Sequence, residues 1–546
     1  MSNFDFILKN EIFKTFAEAS VEAENSIAVT NVSCAIMCRR ALELAVKWLY
    51  ANDQDLKMPY QNNLSSLVYD INFKNMIDEN IFKEITYIIK LGNFSVHSNK
   101  KVTRDEAVIC LKYLFDFMNW ISYCYDSNYE EVTFNESILP SLSSDNLKKE
   151  EREKLESKLY EKDIELEKTL RENEELRKKL TNERTSKKES YNFKVDDISE
   201  FETRKRFIDL DLEIAGWEFG KDIVEELEVS NMTPTQDKGF VDYVLFGENG
   251  KPLAVVEAKR TSKDAKYGQQ QAKLYADCIE REYAQRPVIY YTNGKEIYMW
   301  DDIDYPERKV AGFYTQNELQ LLINRRKSKE NLEHIFIDDK ITNRPYQLEA
   351  IKNVCEAFEE KHRKALLVMA TGTGKTRTAI SIVDVLTSKN WVQNVLFLAD
   401  RTELVKQAEK NFKKLLPDMS CCNLLSSKDG DPEDSRIVFS TYQTMINCID
   451  TVKSKNGNKL FTAGHFDLII IDEAHRSIYK KYQAIFDYFD GLLVGLTATP
   501  RSDVDKNTYK FFELENNVPT FVYEYDEAVK QGYLVNYHTI KTNTEF

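Results

Sequence analysis

Two groups of residues in this sequence have the types and spacing to work on phosphates. The first begins at Met369-Ala370-Thr371-Gly372-Thr373-Gly374-Lys375-Thr376. Its glycines let backbone N–H groups close around a β-phosphate at the positive end of a helix. Lys375 supplies charge between the β- and γ-phosphates, and the Thr376 hydroxyl can ligate Mg²⁺. About a hundred residues downstream, Phe466-Asp467-Leu468-Ile469-Ile470-Ile471-Asp472-Glu473-Ala474-His475 runs through four apolar positions into two carboxylates. Asp472 is suited to hold the Mg²⁺, and Glu473 to orient and deprotonate the attacking water. A solvated strand end is the plain alternative for an Asp-Glu pair, yet it does not account for the buried run that leads into this one. The pattern departs from G-x-x-x-x-G-K-T at one place, where Met369 stands first. The chemistry implied is hydrolysis of ATP with Mg²⁺.

The second group is Asp242, Glu257 and Lys259. Carboxylates bind Mg²⁺ through oxygen and the metal lowers the pKa of its water. A lysine beside it can orient that water and offset charge on a phosphorane-like transition state. That is the chemistry of phosphodiester hydrolysis. Convergence of the three depends on a hairpin, in which Phe240–Phe246 is a strand, Glu248-Asn249-Gly250-Lys251-Pro252 an Asn-Gly turn, and Leu253–Lys259 the returning strand. Glu257 and Lys259, two apart, share one face, and that face can be the one Asp242 meets. Gln271-x-x-x-Tyr275 follows with the spacing of one helix face. A charged exposed strand is the alternative for E-x-K, and plain helix packing for the Gln-Tyr pair.

The elements that must position these residues are legible around them. Ala365–Val368 is a short apolar run and Ala379-Ile380-x-Ile382-Val383-x-Val385-Leu386 has helical spacing, giving the strand, glycine turn and helix of a phosphate loop. Residues 1–140 carry apolar spacing near 3.6, as in Ala41-Leu42-x-Leu44-Ala45-x-x-Trp48-Leu49 and Ile81-Phe82-x-x-Ile85-x-x-Ile88-Ile89, and read as a small all-helical domain. From Lys148 to Glu189, 27 of 42 residues are charged, so 141–190 is expected to be a short coiled coil or an exposed helical strut. Strands alternating with helices follow over 191–325. After a break near Asn324 to Asn343, a second α/β segment occupies 326–546. The expected class is an α/β multidomain protein.

Composition sets the outer limits. The 546 residues carry a net charge of −15, with 42% hydrophobic and 30% charged residues, which excludes wholesale disorder and collagen-like structure. The longest uncharged stretch is the 14 residues Asn25–Cys38, too short to cross a bilayer core. The first residues lack a basic segment leading into an apolar one, so a cytoplasmic location with no membrane span is expected. The nine cysteines show no C-x2-C spacing and are expected to be reduced core thiols. An acidic balance does not exclude a local basic groove for nucleic acid.

Residues 343 to 535 resemble the first lobe of superfamily 2 helicases of the DEAD/DEAH type. Beyond the phosphate loop and the Asp472-Glu473 pair, the resemblance rests on Arg344-Pro345-Tyr346-Gln347, Leu398-Ala399-Asp400-Arg401, Phe439-Ser440-Thr441-Tyr442-Gln443-Thr444 and Leu496-Thr497-Ala498-Thr499-Pro500. It implies a RecA-like doubly wound α/β lobe in which Gln347 reads adenine and the segments with Arg401 and Thr444 line the nucleic-acid path. Thr497 and Thr499 would couple hydrolysis to domain movement, and His475 completes the set. The hairpin of Asp242, Glu257 and Lys259 resembles the PD-(D/E)xK nucleases. With Phe201-Glu202-Thr203-Arg204, Ala215-Gly216-Trp217 and the Gln271/Tyr275 pair, it is similar to the nuclease domain of type I restriction endonuclease R subunits. That similarity adds Glu202 as an extra carboxylate, and Gln271 and Tyr275 as supports of DNA or the active centre.

The order of an all-helical domain, a coiled coil or strut, a restriction-endonuclease-like α/β domain and a single RecA-like lobe resembles the amino-terminal part of such an R subunit. Gly92-Asn93-x-x-x-His97 and Arg39-Arg40-Ala41-Leu42-Glu43 are similar to a helical domain at the start of some of them, with His97 read as a core residue. The resemblance implies an ATP-dependent, DNA-translocating endonuclease subunit that cuts double-stranded DNA with divalent metal, alongside modification and specificity subunits. Phe521–Val535 resembles the exit from the first lobe. A second RecA-like lobe is therefore expected to be supplied separately, this chain being a truncated or split form. Two other readings stay open: a nuclease-helicase of DNA defence or repair without modification subunits, and an inactive truncated protein that binds nucleotide or docks partners.

Overall fold

The computed structural model describes residues 2–59, 63–97, 102–140, 174–187, 207–233, 236–260, 263–426, 430–449, 459–474, 477–499 and 502–536. Four long helices, Lys14–Ser26, Asn31–Asn52, Glu79–His97 and Arg104–Tyr125, pack the amino-terminal part. The apolar positions read from the sequence, Leu42, Leu44, Trp48 and Leu49 on one helix and Ile81, Ile85 and Ile88 on another, are all buried. Threonines start two of the helices. Thr30 accepts the Ser33 N–H, and Thr103 forms a reciprocal box with Glu106, satisfying amides that a first turn otherwise leaves unbonded. Gly92 provides clearance, because a Cβ there would stand 2.7 Å from Cβ of Arg39. The side chain of His97 lies outside the described residues.

Of the charged segment 141–190, the described part is the helix Glu174–Lys187, and that helix is not a solvated strut. Leu180 is 3% exposed within the core of the helical domain. Arg184 donates from Nε to Oδ2 of the buried Asp53 at 2.6 Å, and the Tyr125 hydroxyl donates to the same oxygen at 2.7 Å. A count of charges is blind to one arginine whose acid lies 131 residues away.

The short helix Asp209–Ile214 belongs to two cores at once. Leu210, with the preceding Phe207, packs into the helical domain, while Ile208 and Leu212 pack under the sheet that follows. That sheet holds six strands in chain order: β1 (Ile223–Thr233), β2 (Gln236–Phe246), β3 (Pro252–Ala258), β4 (Val288–Thr292), β5 (Ile297–Trp300) and β6 (Arg308–Val310). The pairing is antiparallel except between β3 and β4, whose connection carries the helix Gln269–Tyr283 over one face. The expected Asn-Gly turn joins β2 to β3, with Gly250 at φ 68°. The helix Gln316–Ser328 covers the other face through Leu319 and Ile323. It runs past the boundary expected at 325, and its last turn carries Arg325, Arg326 and Lys327, charges that suit the negative end of a helix.

The carboxyl-terminal part is built on a seven-stranded sheet in which every pairing is parallel. Its strands are β7 (Lys364–Met369), β8 (Val395–Ala399), β9 (Cys421–Asn423), β10 (Ile437–Thr441), β11 (Leu468–Ile471), β12 (Leu492–Thr497) and β13 (Phe521–Tyr523), in the order β13-β7-β12-β11-β8-β10-β9. Leu367, Phe397, Ile470 and Val494 join one core while Leu366, Leu396, Ile469 and Leu493 join another. That period of two belongs to a sheet covered on both faces.

The two sheets meet at the amino-terminal ends of the parallel strands. Asp490, just before β12, takes Nε of Arg308 on both carboxylate oxygens, at 2.8 and 2.7 Å. It also takes Arg363 at 2.8 Å and the Tyr314 hydroxyl at 2.6 Å. Burial alone would raise the pKa of Asp490; Arg308 and Arg363 more than reverse this and hold it below the usual aspartate range. Asp467, immediately before β11, takes Arg325 at 2.8 Å and the N–H of Gln393 at 2.7 Å. All nine cysteines are free thiols. Among the described residues, no helix is long and apolar enough to cross a membrane.

Candidate functional site

Strands β2 and β3 pair as far as Tyr243 and Val256 and then part. Where the next ladder bond would fall, the Asp242 carboxylate accepts the N–H of Ala258, with Oδ2 at 2.7 Å. On the other side of β2, the register sets Glu226 across from Asp242, and Glu226 has φ 52°. A non-glycine residue held there signals a strand bent on purpose. The sheet forks at Asp242, with Glu257 on the diverging strand and Lys259 just past its end. Alternation foretold that Glu257 and Lys259 share a face but gave no hint of the fork.

Glu257 is 2% exposed and receives the Lys259 ammonium at 2.6 Å. The same ammonium donates to Gln271 Oε1 at 3.2 Å, and the Gln271 amide donates to the Tyr275 hydroxyl at 2.7 Å. Burial raises the pKa of Tyr275, the Gln271 hydrogen bond opposes this, and the charges of Glu257 and Asp242 add to the rise. The phenol therefore lies within the field of both carboxylates. Gly268 closes the pocket, since a Cβ on it would stand 3.1 Å from Cγ of Glu257 and 3.5 Å from Cε of Lys259. Asp242, Glu257, Lys259, Gln271 and Tyr275 thus come together, while Glu202 lies outside the described residues. Among the described residues, no group of three or more His, Cys, Asp or Glu side chains is arranged to share a metal ion. The donors present are the oxygens of Asp242, bonded to the Ala258 N–H, and of the neighbouring Glu257, a type that suits a hard cation.

The second set of residues occupies the opposite, carboxyl-terminal ends of β7, β11 and β12. Met369, standing where the loop pattern has a glycine, is the last residue of β7, fully buried and paired with Tyr523. A strand position needs no glycine. The turn's demand falls on Gly372 and Gly374, at φ 86° and 91°. Lys375 and Thr376 then open the helix Lys375–Ser388. Lys375 stands 3.7 Å from Glu473. Burial and the charge of Glu473 raise the pKa of Asp472, with Lys375 opposing, and two carboxylates crowded beside one ammonium offer a fit for a divalent cation. Glu473 sits at φ 55°, and its N–H turns back to Asp472 Oδ1 at 3.1 Å. Tyr442 ties its segment to this pair, donating to the Asp472 carbonyl at 3.2 Å. Thr497 ends β12 fully buried, and its hydroxyl accepts the Thr499 N–H at 3.2 Å. Arg401 is exposed ahead of the helix Thr402–Leu415. His475 lies outside the described residues.

Gln347 does not present its amide to an open pocket. It is 2% exposed, donates to the carbonyls of Thr373 at 2.9 Å and Gly374 at 3.4 Å, and accepts from the Thr342 hydroxyl. Beside it the Tyr346 hydroxyl donates to the Thr373 carbonyl at 2.8 Å, and the Tyr346 ring stacks on Tyr523 at 3.9 Å. Both side chains brace the phosphate loop from beneath. Nothing in Arg-Pro-Tyr-Gln alone signals this role for the tyrosine.

Three family models match the chain. They are described as Type III restriction enzyme, res subunit, over residues 340–502; Type I restriction enzyme R protein N terminus, over 126–308; and Domain of unknown function (DUF4145), over 21–162. The chain is 30% identical over 332 residues to the type I restriction enzyme EcoAI endonuclease subunit of Escherichia coli, covering 56% of this chain and 38% of that one. It is 27% identical over 394 residues to the EcoKI endonuclease subunit of Escherichia coli strain K12, covering 59% of this chain and 32% of that one. The chain therefore spans well under half the length of the curated relatives it matches. A solved fragment described as an HsdR subunit of a type I restriction enzyme from Vibrio vulnificus YJ016 is 26% identical and covers 62% of each chain. Its TM-score of 0.27 marks a superposition too loose to bear on the fold.

Proposed function

We propose, from its similarity to type I restriction enzyme R proteins, that this chain serves as an endonuclease subunit of a type I restriction system, hydrolysing ATP to translocate double-stranded DNA and cutting its phosphodiester bonds. Modification and specificity subunits are its partners in this reading. The six-stranded sheet within 191–325 is the restriction-endonuclease-like domain, and the parallel sheet within 326–546 is a RecA-like lobe. One observation carries the reading. The hydrogen-bonded run Tyr275, Gln271, Lys259, Glu257 ends beside Asp242, in the same chain as a phosphate loop facing Asp472 and Glu473.

Asp242 and Glu257 would hold a divalent cation, which when bound supplies an activated water and positive charge at the phosphate. Glu257 and Gln271 fix the direction of the Lys259 ammonium, so that it meets an oxygen of the phosphate held there. Tyr275 anchors Gln271. At the other site, Lys375 exchanges Glu473 for the β- and γ-phosphates when ATP enters, which leaves Glu473 to orient the attacking water. Thr376 and Asp472 would hold the Mg²⁺ of the nucleotide. Adenine reading by Gln347 requires its amide to leave the carbonyls of Thr373 and Gly374.

Calorimetric titration with Mn²⁺ and nicking of supercoiled plasmid test the nuclease part in the full chain. Asp242→Ala should lose metal binding and cutting together. Lys259→Ala should keep the metal, because an ammonium is no ligand for a hard cation, and lose cutting by on the order of 10²- to 10³-fold. If Asp242→Ala leaves both unchanged, the hairpin is a charged strand end and the assignment fails.

A further inference from the structure

Between β3 and the helix Gln269–Tyr283, the described residues Arg260, Lys263 and Tyr267 carry side chains that the proposed chemistry has not used. Arg260 and Lys263 are exposed. Among the described residues, neither side chain has an ion pair or hydrogen-bond partner, although the chain as a whole carries a net charge of −15. Tyr267 presents its ring to solvent at 74% exposure.

Hydrogen bonds and burial hold the described residues of this stretch. Ala265 is fully buried beneath the helix, Asp264 accepts the Lys266 N–H at 2.9 Å, and Tyr267 donates its own N–H to the Asp264 carbonyl at 3.1 Å. Asn293 holds the Lys263 carbonyl at 2.8 Å, and the Lys263 N–H returns to the Arg260 carbonyl at 2.9 Å. The neighbouring Lys266 is already occupied by Glu307 at 3.1 Å. Arg260 directly follows Lys259, and Tyr267 directly precedes Gly268, the residue against Glu257 and Lys259. Two cations with no partner among the described residues and one exposed aromatic ring therefore flank, in the chain, Lys259 and the Gly268 that packs against Glu257.

We infer that Arg260, Lys263 and Tyr267 form a nucleic-acid contact of the nuclease centre, the two cations on backbone phosphates flanking the one to be cut and the Tyr267 ring against an exposed sugar or base. The inference rests on the nuclease reading above and adds to it the surface that presents the strand. Cations without acidic partners complement a polyanion, and a rigidly displayed ring offers a face for stacking that is indifferent to sequence.

The test is binding of a fluorescein-labelled DNA duplex to the full chain by anisotropy, with Ca²⁺ in place of Mg²⁺, without ATP, over a series of salt concentrations. The double variant Arg260→Ala/Lys263→Ala should flatten the plot of log affinity against log salt by about 1.8, the loss of two phosphate contacts. Tyr267→Ala should weaken binding several-fold with the slope unchanged, and Tyr267→Phe should restore it. Mn²⁺ titration of these variants should match the unaltered chain, showing that the metal centre is intact. An unchanged salt slope in the double variant, with Asp242→Ala still losing metal, overturns this surface and leaves the nuclease reading standing. Metal binding that survives Asp242→Ala overturns the nuclease reading and, with it, the placement of this contact.

Discussion

Replacing Asp490 with alanine should open the seam between the two sheets. The carboxylate serves Arg308 through both oxygens, and Arg363 and Tyr314 through one each. The side chains of Arg308 and Arg363 are 16% and 20% exposed, so neither recovers full hydration when its acid is removed. Deleting one partner of a buried pair costs about 3–5 kcal/mol, and the partial exposure of both arginines sets the expectation near the lower figure, about 3 kcal/mol. Native-state hydrogen exchange reads this locally. The amide of residue 490 is bonded to the Ala463 carbonyl and that of Leu493 to the Arg363 carbonyl, both at 2.9 Å. A loss of about 3 kcal/mol at the seam makes these amides exchange on the order of 10²-fold faster, while amides of the helix Arg104–Tyr125 keep their protection. Unaltered exchange at both positions would refute the reasoning. It would mean that contacts such as the Tyr314 ring on Gly464, where a Cβ would come within 2.6 Å, hold the seam without the ion cluster.

Lys375→Ala should abolish binding of a fluorescent ATP analogue, since it removes the charge that would bridge the phosphates; retained affinity argues against the loop assignment. Gly268→Ala has a permissive backbone at φ −81° but sets a methyl 3.1 Å from Cγ of Glu257. Plasmid nicking should fall at least about tenfold through misplacement of Glu257, with a stability loss of about 1–3 kcal/mol at most, and full activity would show that Glu257 is not part of the centre. Burial lowers the pKa of His465 to about 4, against a smaller upward pull from Asp467. Its neutral form is then favoured in the fold, so stability is complete above about pH 6.5 and falls by about 3 kcal/mol as the pH drops toward 4. The urea midpoint should follow that curve and flatten in His465→Gln; parallel curves would exclude His465 as the source.

The phosphate loop was legible because everything it needs lies within one short stretch. Strand, glycine turn and helix are consecutive, and even Met369 is harmless once it is seen to end a strand. The β2–β3 hairpin was legible for the same reason, its Asn-Gly turn being a local signal. What escaped was non-local. The fork at Asp242 coincides with Glu226, across from it in the neighbouring strand, at φ 52°, and glutamate announces no such conformation. Asp490 meets Arg308 across 182 residues, with no motif around either. Leu180 and Arg184 were hidden by the charged residues about them. Gln347 was found by its motif, but its direction could be learned only from the placement of Thr373 and Gly374.

A parallel sheet has two unlike ends, and this one gives them to different tenants. The carboxyl-terminal ends of β7, β11 and β12 carry the phosphate loop, Asp472 and Thr497, while Asp490 and Asp467 at the amino-terminal ends hold Arg308 of the six-stranded sheet and Arg325 of the helix that covers it. A domain mounted on the back of the lobe leaves the surroundings of the phosphate loop untouched. The same mounting fixes its bearing. As long as the seam holds, the fork at Asp242 points one way relative to the lobe, and on the proposed nuclease reading the direction of approach to it is set by that seam.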